Sequence, residues 1–186
     1  MTYTTVTANQ DAQAVIDFWF ANADNWFIKS PAFDAQIAKQ FGEILVKASQ
    51  GELSAWRADS VGRLAEIIVL DQFSRNVYRD NPKAFAQDGM ALVLAQEALN
   101  LPSFADLPIA YQKFTVMPFM HSESAVIHAE ALAIFEKLGD ATTLEFERQH
   151  KAIIDRFGRY PHRNAILGRQ STASEEAFLQ TPNSSF

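Results

Sequence analysis

Ser30–Gly51, SPAFDAQIAKQFGEILVKASQG, reads as a complete helix with its start and stop signals in place. Ser30 carries a side-chain oxygen able to accept from an orphaned backbone N–H, and Pro31 brings a preset φ to the first helical position. Phe33, Ile37, Phe41, Ile44 and Leu45 then recur at intervals that place them on one face of an α-helix. Gly51 supplies the stop. This stretch decides the fold class because the rest of the chain repeats its grammar.

Toward the N-terminus, Asp11–Phe20 gathers Val15, Ile16, Trp19 and Phe20 on one helical face, and 21–29 reads as a loop. Beyond Gly51, a turn holding Leu53 and Trp56 leads to a longer helix. It starts at Ser60, carries Val61, Leu64, Ile67, Ile68 and Phe73, and runs to about Val77. Asn81 and Pro82 start another helix through Phe85, Leu92 and Leu99, which ends before Pro102. Asp106 and Pro108 begin the next, with Tyr111, Phe114 and Met117, until Pro118 kinks or ends it. His121 and Ser122 open a helix that carries Val126, Ile127, Ile134 and Phe135 to Gly139, and Thr143–Phe157 follows with Gly158 as its C-cap. Pro161 enforces a turn before a short helix over 162–167. Thr172 and Glu175 then form a capping box for a last helix fading at Pro182.

No stretch shows the sustained apolar/polar alternation of strands, and no clean repeat of about 34 residues is found. The expectation is an all-α fold in one domain over 1–186. It holds about eight or nine short antiparallel helices in layers, with flexible ends at 1–9 and 183–186.

Composition narrows the function. With 48% hydrophobic residues and 15 Phe the chain must fold around a core. Its longest apolar runs, such as Ile67–Leu70, are far short of a membrane span. Absence of cysteine removes disulfide, thiolate and Cys-zinc chemistry. The first residues lack a basic region followed by an apolar one, so a cytoplasmic location is expected. A net charge of −6 argues against nucleic-acid binding. Residues 148–169, however, hold six cations against one acid, a local +5 that leaves −11 for the rest. An anionic partner belongs there.

Three groups could carry chemistry. Asp71, Gln72, Arg75 and Asn76 offer i,i+4 pairs, Asp71 with Arg75 and Gln72 with Asn76, on the helix from Ser60; the plain alternative is a stitch between helices. His121 and Glu123, just past Pro118, could act as acid and base, or merely cap and pack. In 150–169, HKAIIDRFGRYPHRNAILGR, the groups Arg159, His162, Arg163 and Asn164 flank the Gly158 and Pro161 turns. Guanidinium forks beside a helix start make an anion site, unless Arg159 and Arg163 pair internally with Asp71, Glu123 or Asp155. His150 and His162 join His121 and Glu123 as catalytic candidates, while His128 reads as a core-edge histidine satisfied by a neighbour. No HExxH-type spacing, phosphate loop, dinucleotide fingerprint or nucleophile elbow is present, so neither a metal nor a cofactor is expected.

Leu70–Asp88 (LDQFSRNVYRDNPKAFAQD), Pro118–Glu123 (PFMHSE) and His150–Thr172 (HKAIIDRFGRYPHRNAILGRQST), taken together, resemble the motifs of an uncharacterised family, domain of unknown function 924. The likeness runs from DFWF at Asp17–Phe20 to EEAFL at Glu175–Leu179, departing at Tyr160, where Phe is expected, and in a short tail. It implies a small all-helical, tetratricopeptide-like architecture in which the three polar motifs converge; it brings no activity with it.

Three readings follow. The first is a helical binding module taking an acidic peptide or small anion through Arg75, Arg159, Arg163 and His162. The second is a hydrolase of an anionic small molecule with His121, Glu123, His150 or His162 as acid and base. The third is a buried structural network with no ligand. Trp26, Phe27 or Phe186, if exposed, would offer surface for self-association.

Overall fold

The computed structural model describes residues 8–182, 184 and 185, so the flexible ends expected at 1–9 and 183–186 lie mostly outside the described residues. The fold is all-α: helices and 3₁₀ turns make up the regular structure, with no strand among the described residues. No described helix is long and apolar enough to cross a membrane. The chain forms two compact units, one reaching Arg79 and resuming over Lys83–Pro118, the other made of Asp80–Pro82 and Phe119–Phe186.

The first unit is built on one helical rod: α3 (Ser60–Ile68), a π-helical turn (Val69–Phe73) and α4 (Ser74–Val77). The apolar run predicts this rod, and the structure adds a wider turn in its middle. Around it, α1 (Ala8–Ala21) and α5 (Asp88–Leu99) pack on α3, while α2 (Pro31–Ser49) packs on the π turn and α4. The start signals of α2 act as read, since Ser30 Oγ accepts from Phe33 N at 3.3 Å. The core is aromatic. Trp19, Phe33, Phe41, Phe73 and Phe114 are buried, and Trp19 meets Phe114 edge-on with centroids 5.5 Å apart. Each such side chain contributes roughly 1.5–3 kcal/mol by burial. Trp26, expected as an exposed residue, is instead half-buried against Phe114 and donates Nε1–H to the Trp19 carbonyl at 2.8 Å. Phe27 is 69% exposed, and Phe186 lies outside the described residues. Gly62 permits the close approach of α3 to the preceding turn, because a Cβ there would sit 2.0 Å from the Trp56 carbonyl oxygen.

Two boundaries differ from the reading. Pro82–Ala84 forms only a 3₁₀ turn, and α5 starts at Asp88 rather than near Asn81. In α6 (Ile109–Met120), Pro118 is accommodated inside the last turn, so the helix ends two residues beyond it.

The second unit centres on a hairpin of α7 (Ala125–Leu138) and α8 (Ala141–Phe157), which pack on each other across the Gly139–Asp140 turn. Gly139 takes φ 79° and Asp140 caps α8 by accepting from Thr143 N at 2.9 Å. The cap of α7 is Ser124, two residues later than the expected opening at His121 and Ser122. The Ser122 carbonyl is turned toward His128 instead, which leaves 121–123 in the connection. Gly158, at φ 68°, ends α8 as predicted.

The short helix expected over 162–167 is corrected. Pro161–Arg163 makes a single 3₁₀ turn, with Arg163 N bonded to Tyr160 O at 3.1 Å, and irregular turns follow. Arg163 and Asn164 are buried there, and their side-chain bonds to distant backbone and side chains set the path in place of helical periodicity. The last helix, α9 (Ala173–Leu179), has the predicted capping box of Thr172 and Glu175.

Candidate functional site

Tyr160 is the hub of the second unit. It is fully buried beside Ile153 and Ile154, and its hydroxyl donates to the Met120 carbonyl at 2.6 Å. Its ring lies 5.4 Å from that of His162, 5.7 Å from His150 and 6.3 Å from His128, measured between centroids. The Arg163 guanidinium stacks over the same ring at 4.6 Å and donates to the His121 carbonyl at 3.1 Å. Thus the irregular 158–164 segment and the 121–123 connection, far apart in sequence, meet through a phenol.

The other three histidines of the chain all act electrostatically on His150 here. Burial pushes His150 down to about 3, and the charges of His121, His128 and His162 push the same way. The Phe146 carbonyl, accepting from Nδ1 at 2.7 Å, opposes them. His150 is therefore neutral at ordinary pH. His121 and His162 are half-buried.

The carboxylates are engaged. Glu123 accepts from Arg169 Nη1 at 2.6 Å and Nη2 at 2.9 Å, and from Tyr160 N at 2.7 Å. Burial raises its carboxyl, but the Arg169 fork and the Tyr160 amide outweigh burial and hold it below the usual range. Arg159 grips Glu175 with Nε at 2.7 Å and Nη2 at 2.8 Å, and holds that carboxyl down to about 2 with help from the Thr172 amide. Arg159 thus grips Glu175 and Arg163 holds the His121 carbonyl, and both guanidinium groups also act electrostatically on Glu123, one of the acids considered from sequence. Asn164 donates to Ser171 Oγ at 3.1 Å and accepts from Arg169 Nε at 2.9 Å, tying the turn to the segment leading into α9.

The structure thus brings His121, Glu123, His150, His162, Arg163 and Asn164 together. Asp71, Gln72, Arg75 and Asn76 sit in the π turn and α4 of the first unit. There Arg75 Nη1 reaches Asp71 Oδ1 at 3.0 Å, the i,i+4 pair read from sequence, and Nη2 reaches Asp88 at 3.0 Å. The second pair takes other partners: Gln72 donates to Asp71, and Asn76 to Asp34 at 2.8 Å beside Arg79.

Sequence reasoning missed two members. His128 is fully buried at the centre of the unit, not at its edge, and its partner Glu147 on α8 is equally buried. The signal was available: Thr143, Glu147, His150 and Ile154 follow helical spacing, so Glu147 lies on the inward stripe and needs a partner. A groove of about 280 Å³ also lies along α8 and α9, lined by Gln149, Ala152, Ile153, Arg156, Phe157 and Phe178. It holds no imidazole or carboxylate for acid–base chemistry. No group of three metal-ligating side chains is placed to hold an ion among the described residues.

These features define a small all-helical protein with a polar cluster in one unit. Residues 15–183 match the family model described as "Bacterial protein of unknown function (DUF924)", and the chain belongs to that family. Among solved structures, it is similar to a protein of unknown function from Agrobacterium tumefaciens, ATU0120. The TM-score is 0.86 and the identity 33%, over 91% of this chain and 96% of that one. No curated protein matches the chain.

Proposed function

We propose that the protein is a binding module for a small anion, a phosphate or carboxylate, seated against His121, His162 and Arg163 in the second unit. One observation carries this reading: the imidazoles of His128, His150 and His162 and the Arg163 guanidinium gather round Tyr160, and Arg163 also holds the His121 carbonyl. Imidazole and guanidinium donors held in fixed positions beside one aromatic ring suit the oxygens of a phosphate or carboxylate. Arg159 and Arg75 contribute less to this reading, since both hold carboxylates of their own.

Binding is favoured over hydrolysis by the same geometry. A general acid or base works best with a pKa near the operating pH. Glu123 is held low and His150 lies near 3, so neither is tuned for proton transfer at neutrality. The purely structural reading has its support in the Arg159–Glu175 and Arg169–Glu123 forks.

The test is thermal unfolding with inorganic phosphate and with acetate. A ligand of the native state raises the midpoint as its concentration rises. The expected result is such a rise, abolished by His162→Gln. A midpoint independent of both anions overturns the proposal and leaves the structural network.

A further inference from the structure

His128 and Glu147 form a pair that no role assigned above uses. His128 Nδ1 lies 2.7 Å from Glu147 Oε1, across the α7–α8 hairpin, and both side chains are fully buried. On the other side of the ring, Nε2 lies 2.9 Å from the Ser122 carbonyl oxygen and 3.0 Å from Tyr160 Oη. The carbonyl can only accept. The Tyr160 hydroxyl spends its proton on Met120 O and so also faces Nε2 as an acceptor. Nε2 must therefore carry hydrogen, which leaves one further proton to lie between Nδ1 and Oε1.

Where that proton rests is decided by the other carboxyl oxygen. Glu147 Oε2 is buried with no hydrogen-bond partner. A carboxylate would put charge on a buried oxygen that no protein donor satisfies, whereas a carboxylic acid leaves only a carbonyl there.

We infer that Glu147 is a neutral carboxylic acid that donates Oε1–H to His128 Nδ1, and that the two are positioning residues for the site around Tyr160. The acid fixes His128 as the Nε2–H tautomer. That N–H holds the Ser122 carbonyl and the Tyr160 oxygen, and these set the His121–Glu123 connection and the ring on which Arg163 stacks. Burial pushes the Glu147 carboxyl upward against the pull of His128 and Lys151, in keeping with the neutral form. The titratable or charged groups facing the pair are Tyr160 from the turn after α8, and His150 and Lys151 from α8. The positioning role rests on the anion-site reading; the proton's location does not.

The experiment uses the full chain with ¹⁵N-labelled imidazoles at neutral pH. Expected is a neutral His128 with hydrogen on Nε2, together with an infrared band of a protonated carboxyl that disappears in Glu147→Gln. An imidazolium pattern, or hydrogen on Nδ1 of a neutral ring, overturns the inference. Phosphate affinity then tests positioning. Glu147→Gln, whose amide donates to Nδ1, retains affinity within about twofold, and Glu147→Met, which has no donor, loses about tenfold. Retention of affinity in Glu147→Met overturns the positioning role. Failure of phosphate to bind the native chain refutes the anion site and the positioning role built on it, while the spectra still decide the proton.

Discussion

The two units are held by different physics. The first closes over an aromatic interior of Trp19, Phe33, Phe41, Phe73 and Phe114, and its two fully buried acids, Glu66 and Asp71, are each held by an arginine, Arg57 and Arg75. The second has Ile153, Ile154 and Tyr160 as its compact apolar cluster and buries His128, Glu147, His150, Arg163, Asn164 and Glu175 alongside. Hydrophobic burial is indifferent to pH, whereas buried titratable groups make stability a function of it. The unit that concentrates polar chemistry is thus the one whose folding should respond to protons.

The strongest way to break this contrast is at Trp19. Trp19→Ala should cost about 3–5 kcal/mol in urea unfolding, with the same loss at every pH. A loss that changes with pH would mean the first unit is not held by burial alone. Next in size is the acid limb set by His150. Its folded value of about 3 lies below the ordinary imidazole value of 6.5. Its contribution is therefore complete above about 6.5 and is lost as pH falls, because the unfolded chain then binds a proton that the folded one refuses. The slope is about 1.4 kcal/mol per pH unit below that point. His150→Gln should flatten it, and an unchanged slope would place the acid sensitivity elsewhere.

Glu123→Gln should cost about 2–3 kcal/mol at pH 7, because Arg169 and the Tyr160 amide lose a charged acceptor in a half-buried place. Because the folded Glu123 carboxyl lies below 4.5, that stabilisation holds above 4.5 and fades with acid, so mutant and native should converge at low pH. The smallest effect sharpens rather than breaks the comparison. Thr172→Ala removes one arm of the capping box and should cost about 1 kcal/mol, read as an earlier urea midpoint at neutral pH.

Local chemistry was legible and tertiary pairing was not. Ser30–Pro31, Gly139, Gly158 and the Thr172–Glu175 box act as their residue types require, because each device is completed within a few residues. The 162–167 stretch misled because Pro161 marks a turn after which a helix can start, whereas Arg163 answers to His121, 42 residues away. Ser122 read as the opening of α7 because nothing local shows that its carbonyl belongs to His128. The candidate site was half visible. His121, Glu123, His162 and Arg163 were drawn from polar runs, but His128 and Glu147 sit singly among apolar neighbours. They gain meaning only once α7 and α8 are laid side by side.

The π turn at Val69–Phe73 sets the angular phase of everything after it on that rod. One surplus residue in a helix rotates the following side chains by about 100°. Winding all five residues as plain α-helix would swing Asn76 away from Asp34, whereas excising one residue along with the bulge would leave that aim nearly unchanged. The bulge works as a vernier, dialling the azimuth at which the rod's polar end meets α2.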